Sequence, residues 1–278
     1  MGKVLPKDAV RQFGEDGYYL PVQVMPAAEA EALRARLEAF EASQGGPLKG
    51  VQRNKTHLLF KWLDDLIRDP RILDPIEDLI GPDILCWNTL FWTKEARSPA
   101  FVSWHQDITY WGLEGGQVIT AWLALSPATG ESGCMRVMPG THKGRLLAHE
   151  DRYNADNMLT RGQEISEGID EDKAAPMPLA TGEMSLHDVR LAHASGPNDS
   201  NDRRVGVSMH YMPTRARQKL GDWDSAALVR GVDNFGNFHP TPPVPADFVA
   251  DAVAFHKRAT QAVHDILYQG AEHDTARL

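Results

Sequence analysis

His105 and Asp107 stand two residues apart in "SWHQDITYW", Ser103 to Trp111, a run whose Trp, Ile, Thr and Tyr otherwise read as a strand. Residues two apart on a strand share a face, so this spacing predicts an imidazole and a carboxylate side by side. Such a pair holds a catalytic metal only with a third ligand. Of the eleven histidines, His193 stands out: it closes a strand-like segment in "GEMSLHDVRLAHASGPNDSNDRR", 88 positions after His105. Two histidines and one carboxylate on one face of an octahedron leave three adjacent positions open, the arrangement of non-haem Fe(II) oxygenases.

Eleven residues beyond His193, Arg204 lies in "RRVGVSMHY", where alternation points it inward with Gly206 and Ser208 and turns Arg203 to the other face. A guanidinium grips a carboxylate through two parallel hydrogen bonds, as the distal carboxylate of 2-oxoglutarate would require. Together with "WHQD", the tryptophan of "TAWLAL", the "MPGTH" turn and "HASGPNDSNDRR", these residues resemble the phytanoyl-CoA dioxygenase family of Fe(II)- and 2-oxoglutarate-dependent oxygenases, over about residues 10 to 215. The resemblance implies His105, Asp107 and His193 as iron ligands and Arg204 as the clamp on the C5 carboxylate. It further implies Ser195 as a hydroxyl partner of that carboxylate, Trp122 packed beside the co-substrate, and Asn88 as a polar contact.

The fold it implies is mainly β with flanking helices, a double-stranded β-helix or jelly-roll (cupin-like) core. The cofactors it implies are Fe(II), 2-oxoglutarate and O2. In the family's halogenases Ala or Gly replaces the carboxylate ligand, and here Asp107 is present. The resemblance therefore favours hydroxylation of a C–H bond, with release of succinate and CO2. Desaturation and epoxidation begin with the same chemistry. The reading from another class, a catalytically silent ligand-binding protein on this fold, is opposed by the intact triad and Arg204.

Composition bounds the partners. The chain of 278 residues, 42% hydrophobic and 24% charged, suits one domain spanning 1–278. A formal charge of -9 argues against nucleic acid and anionic membrane, leaving a small molecule as the expected substrate. Cys86 and Cys134 are too few and too far apart for a disulfide framework, which with the lack of an apolar N-terminal segment or spanning run predicts a cytoplasmic protein. The loop "GGPLKGVQRNKT" carries Lys49, Arg53 and Lys55; it reads as solvated, with anchoring of an anionic substrate as the alternative, and Arg161 is a further candidate anchor. Basic loop and tryptophans together suggest a small polar, zwitterionic or phosphonate-type substrate.

The elements that must position these residues follow from periodicity. A short helix, a turn at Glu15 to Gly17 and a strand from Tyr18 to Val24 are followed by a helix opened by Pro26, with Ala30, Leu33, Leu37 and Phe40 on one stripe. Two helical patches precede a β-core at about 84–215, and a final helix spans about 246–269 with Val249, Val253, Ala259 and Val263 on one side. Between Pro127 and about Pro176 the pattern weakens, which predicts a lid or mobile loop; the loops 44–56 and 150–175 are candidates for substrate contact. His149 and Asp151 there read as a surface pair, and His142 as a turn residue. His187 and Asp188 alternate across their strand, and His187 reads as a satisfied structural histidine, with a place for one of the two behind the metal ligands as the alternative. His210 shares the parity of Arg204 and faces the same cavity. Trp87, Trp92, Trp104, Tyr110, Trp111 and Trp122 read mostly as core.

Overall fold

The computed structural model describes residues 3–273. Its larger sheet has seven strands in the order β1 (Tyr18–Gln23), β10 (Glu183–Asp188), β5 (Ile119–Ala124), β12 (Arg204–Pro213), β2 (Ile84–Lys94), β14 (Ser225–Arg230) and β15 (His239–Pro240). The pairs are antiparallel except β14 with β15. A smaller sheet runs β3 (Val102–His105), β11 (His193–Ser195), β6 (Met135–Val137) and β9 (Ala175–Met177). Two further pairs, β4 (Leu113–Glu114) with β13 (Arg217–Gln218) and β7 (His149–Asp151) with β8 (Gln163–Ile165), extend the periphery.

Helices cover the outer face of the larger sheet. They are α1 (Lys7–Asp16), α2 (Ala27–Ser43), α3 (Lys61–Leu66) and α4 (Pro70–Ile80), while α5 (Ile108–Trp111) and α6 (Ala250–Leu267) lie later in the chain. The odd positions of β12, Val205, Val207, Met209 and Tyr211, share one apolar core with Leu37, Leu63 and Ile76 of these helices. All ten residues of β12 are buried, because helices cover one face and the cavity between the sheets lies on the other. A fully buried Leu or Met contributes about 1.5–3 kcal/mol relative to exposure, so this layer holds the central strand rigidly.

Four expectations change. The strand expected through Trp111 stops at His105, and Asp107 already has helical dihedrals (φ -53, ψ -45) ahead of α5. The weakly patterned stretch 127–176 is not a free lid: β6 and β9 pair within the smaller sheet, and β7 and β8 form a hairpin. Its strands are only three residues long, too short for period-two patterning to register. The larger sheet also recruits β1 and β14, outside the 84–215 stretch. On α6, Val253 is exposed, and Ala252, His256, Ala259 and Val263 form the buried stripe.

Candidate active site

The even positions of β2, β5 and β12 and the odd positions of β10 face a cavity between the sheets. Register places His187, Thr120, His210 and Asn88 in one row across β10, β5, β12 and β2. Ser185, Trp122, Ser208 and Leu90 form the next, and all eight residues line the cavity. On the smaller sheet, His193 and His105 are direct register partners, with ring centroids 4.1 Å apart.

These histidines converge on Asp107. His105 Nε2 lies 3.3 Å from Asp107 Oδ1, and His193 Nε2 lies 3.9 Å from Oδ2. One ligand atom from each residue lies within 4.8 Å of the others. The Nδ1 atoms of His105 and His193 each sit 2.9 Å from a backbone carbonyl, of Ser103 and Leu191. A carbonyl only accepts, so each Nδ1 carries the proton and each Nε2 presents its lone pair to the centre. This donor set fits a divalent ion held by two nitrogens and one oxygen.

Electrostatics prepares the same state. Burial pushes His193 down to about 4, with His105 adding to it, so the imidazole is neutral at pH 7. Burial alone would raise the Asp107 carboxyl, but His193 and His105 outweigh it and hold the group well below the ordinary carboxylate range. Metal ligation requires these deprotonated forms. The expected proximity of His105 and Asp107 is therefore present, reached by a turn rather than along a strand. Gln106 fixes that turn: its side chain donates to Arg190 O and accepts from the Leu147 N–H at 2.8 Å, and its backbone N–H donates to His149 Nε2 at 2.9 Å.

Arg204 is buried at the far end of the cavity. Its Nη1 donates to Gly133 O at 2.8 Å, and its guanidinium lies 5.3 Å from the Trp122 ring centre. No carboxylate pairs with it among the described residues, and burial draws its pKa down to about 10. Gly206 makes room for the indole, since a Cβ there would come within 2.0 Å of Trp122 Cζ2. Ser195 lines the cavity, and its Oγ accepts from Lys94 Nζ at 2.7 Å. Asn88 also lines it, although the protein already engages its Oδ1 through the Lys55 and Thr89 N–H groups, at 2.7 and 2.8 Å, and its Nδ2 through Asn54 Oδ1 at 3.2 Å.

Several neighbours depart from expectation. Lys55 is not an anchor: it is 1% exposed, donates to the carbonyls of Trp87 and Ser225, and lies 3.6 Å from Asp224. Lys49 is exposed, while Arg53 lines the cavity without a carboxylate partner among the described residues. Arg161 ties Asp151 to Leu267 O and is absent from the cavity lining. His149 and Asp151 are partly buried on β7 rather than on a surface loop. Neither ring nitrogen of the buried His187 has a partner among the described residues, so it is not the satisfied histidine expected, and Asp188 accepts from Gln117 and Arg190. His142 does sit in a tight turn, and His210 does line the cavity. Trp87, Trp92, Trp111 and Trp122 line it as well, so these rings are wall rather than core alone. Lys94 escaped the sequence reading, though it shares the parity of Asn88, Leu90 and Trp92 on β2.

Comparison with known proteins agrees with this geometry. The family model described as "Phytanoyl-CoA dioxygenase (PhyH)" matches residues 13–206. A "Probable alpha-ketoglutarate-dependent hypophosphite dioxygenase" of Stutzerimonas stutzeri is 29% identical over 79% of this chain and 80% of its own length. The solved structure of the non-heme monooxygenase ThoJ, in its apo form, superposes with a TM-score of 0.84 at 33% identity, over 94% of this chain and 98% of that one. CytC3 with Fe(II) and alpha-ketoglutarate shares the fold, with a TM-score of 0.65 at 24% identity over 90% of this chain and 98% of its own. The two sheets are thus an open jelly-roll core, and among the described residues no helix is long and apolar enough to cross a membrane. The chain belongs to the phytanoyl-CoA dioxygenase family of 2-oxoglutarate-dependent non-haem iron dioxygenases.

Proposed function

We propose that this protein hydroxylates a C–H bond of a small polar metabolite, converting 2-oxoglutarate and O2 to succinate and CO2 in the same turnover. The observation that carries the reading is the pairing, in one cavity, of the His105–Asp107–His193 group with a buried guanidinium that lacks a carboxylate partner among the described residues. In this reading the triad holds Fe(II) and Arg204, with Ser195, holds the distal carboxylate of 2-oxoglutarate. Trp122 forms the floor under that end, and Asn88 is part of the wall near the opposite end. Bound iron and co-substrate supply the oxidising chemistry, placing one oxygen atom in succinate and the other in the substrate.

The chain supplies position and dryness. Trp87, Trp92 and Trp111 give the cavity a largely apolar wall. Asp107 would be a ligand where the family's halogenases carry Ala or Gly, which favours hydroxylation over halogenation. Arg53 gives the cavity capacity for a second anionic group beside the one assigned to Arg204, and a small polar or phosphonate-type substrate suits it. The likeness to a probable hypophosphite dioxygenase supports the same direction.

The test is succinate formation by the anaerobically prepared protein given Fe(II), 2-oxoglutarate and O2, followed by a screen for compounds that stimulate it. Iron-dependent succinate is expected, reduced at least about a hundred-fold in Asp107→Ala and Arg204→Ala. Small phosphonates, phosphinates and amino acids are expected to stimulate the rate. Stimulation by long acyl thioesters alone would sink the substrate class, and succinate formation undiminished in Asp107→Ala would sink the metal assignment.

A further inference from the structure

Lys94 ends β2 as the register partner of Arg204. It is 1% exposed, and its ammonium donates to Ser195 Oγ at 2.7 Å and to Gly196 O. In its charged form, which a bound anion favours, the ammonium has protons but no lone pair, so in this contact the serine oxygen accepts. Its single hydroxyl proton is then directed away from Lys94. Ser195 lines the cavity, and its Oγ has no further hydrogen-bond partner among the described residues beyond Lys94. The serine is thereby set as a donor into the space that Arg204 borders.

Charge leads to the same place. Lys94 and Arg204 are buried directly opposite each other in the register, and neither has a carboxylate partner among the described residues. Burial and then the nearby guanidinium lower the Lys94 pKa to about 7. Two desolvated cations side by side are unfavourable until an anion joins them. A carboxylate at this end would meet a guanidinium, a hydroxyl proton and the field of an ammonium behind it.

We propose that Lys94 is a positioning residue for the co-substrate, holding the Ser195 hydroxyl as a donor to the distal carboxylate that Arg204 binds. The proposal rests on the assignment of Arg204 and Ser195 to that carboxylate. An alternative role, bracing the chain at Gly196, would leave ligand choice untouched.

Two ligands separate these roles. 2-Oxopentanoate keeps the keto acid and chain length of 2-oxoglutarate but lacks the distal carboxylate. Affinities for both are measured by calorimetry on the full chain with Mn(II) added and O2 excluded. Lys94→Met is expected to weaken 2-oxoglutarate about ten-fold or more, the scale of a charge-assisted hydrogen bond, while 2-oxopentanoate changes less than about two-fold. Ser195→Ala is expected to show the same selective loss, and it decides the matter should Lys94→Met fail to fold. Equal weakening of both ligands, or unchanged preference in either variant, overturns the proposal. Arg204→Met tests the underlying assignment separately. If it retains the preference, the carboxylate site itself is misassigned; if it abolishes the preference while Lys94→Met keeps it, only the role of Lys94 falls.

Discussion

Lys55 and Lys94 are both about 1% exposed, and both reach their burial beside β2, yet their surroundings differ in one respect. The Lys55 ammonium faces two carbonyls and the Asp224 carboxylate, which in turn accepts from the indole N–H of Trp87 at 2.7 Å and from Gln218 at 3.1 Å. Lys94 has a hydroxyl, a carbonyl and a neighbouring guanidinium. A buried cation whose counter-charge is built in belongs to the framework. One without a carboxylate partner among the described residues is suited to meeting an anionic ligand, and the contrast separates scaffold from site without reference to any motif.

The comparison can be broken most sharply at Lys55. Lys55→Met leaves Asp224 buried and unpaired, and we expect a loss of about 3–5 kcal/mol in urea-induced unfolding. The double variant Lys55→Met/Asp224→Leu should recover most of it. A loss below about 1 kcal/mol in the single variant would remove the distinction. A smaller effect is expected at Gly206, where alanine would collide with Trp122 and tilt the floor beneath Arg204. Overpacking of this kind costs about 1–3 kcal/mol. It should be accompanied by weaker 2-oxoglutarate binding in the same calorimetric titration, and unchanged binding would detach Trp122 from the co-substrate.

The smallest effect is a pH dependence that only the unneutralised lysine should have. Folded Lys94 loses its proton near 7, whereas an unfolded lysine keeps it to about 10.4. Between these values the unfolded chain binds more protons, so this group makes the ligand-free protein more stable as pH rises. Bound co-substrate favours the charged ammonium, so affinity should fall over the same window. Arg204 and Cys134, the charged and titratable groups facing Lys94, keep their ordinary states near pH 7. Unfolding midpoints of the native protein and Lys94→Met between pH 7 and 9 should diverge, and parallel curves would place the Lys94 pKa elsewhere.

What could be read from the sequence divides along a similar line. That His105, Asp107, His193 and Arg204 meet in one cavity was legible because their types and spacing constrain chemistry directly. The strand through Asp107 was misread because a nine-residue run rich in Trp, Ile and Tyr favours extension locally, while Gln106 and its long-range hydrogen bonds impose the turn. Lys55 looked solvated because polar loop composition carries no sign of Asp224, about 170 residues away. Lys94 was within reach, since period two along "ILCWNTLFWTK" points it inward with Asn88 and Trp92. The orphaned nitrogens of His187 could not be anticipated, because satisfaction of a buried polar group is a property of its neighbours.

The direct pairing of His105 with His193 has a consequence for the chain as a polymer. These adjacent strands belong to segments 88 residues apart, joined in the folded state by short ladders, β3 of four residues and β11 of three. An ion gripped by both imidazoles closes that long loop as a cross-link does, and loop closure is where a bond between distant residues gains most against the disorder of the unfolded chain. The metal centre is then also a clasp on the smaller sheet, and chelation should loosen β3 and β11 ahead of the seven-stranded sheet behind them, a sequence that amide exchange would resolve strand by strand.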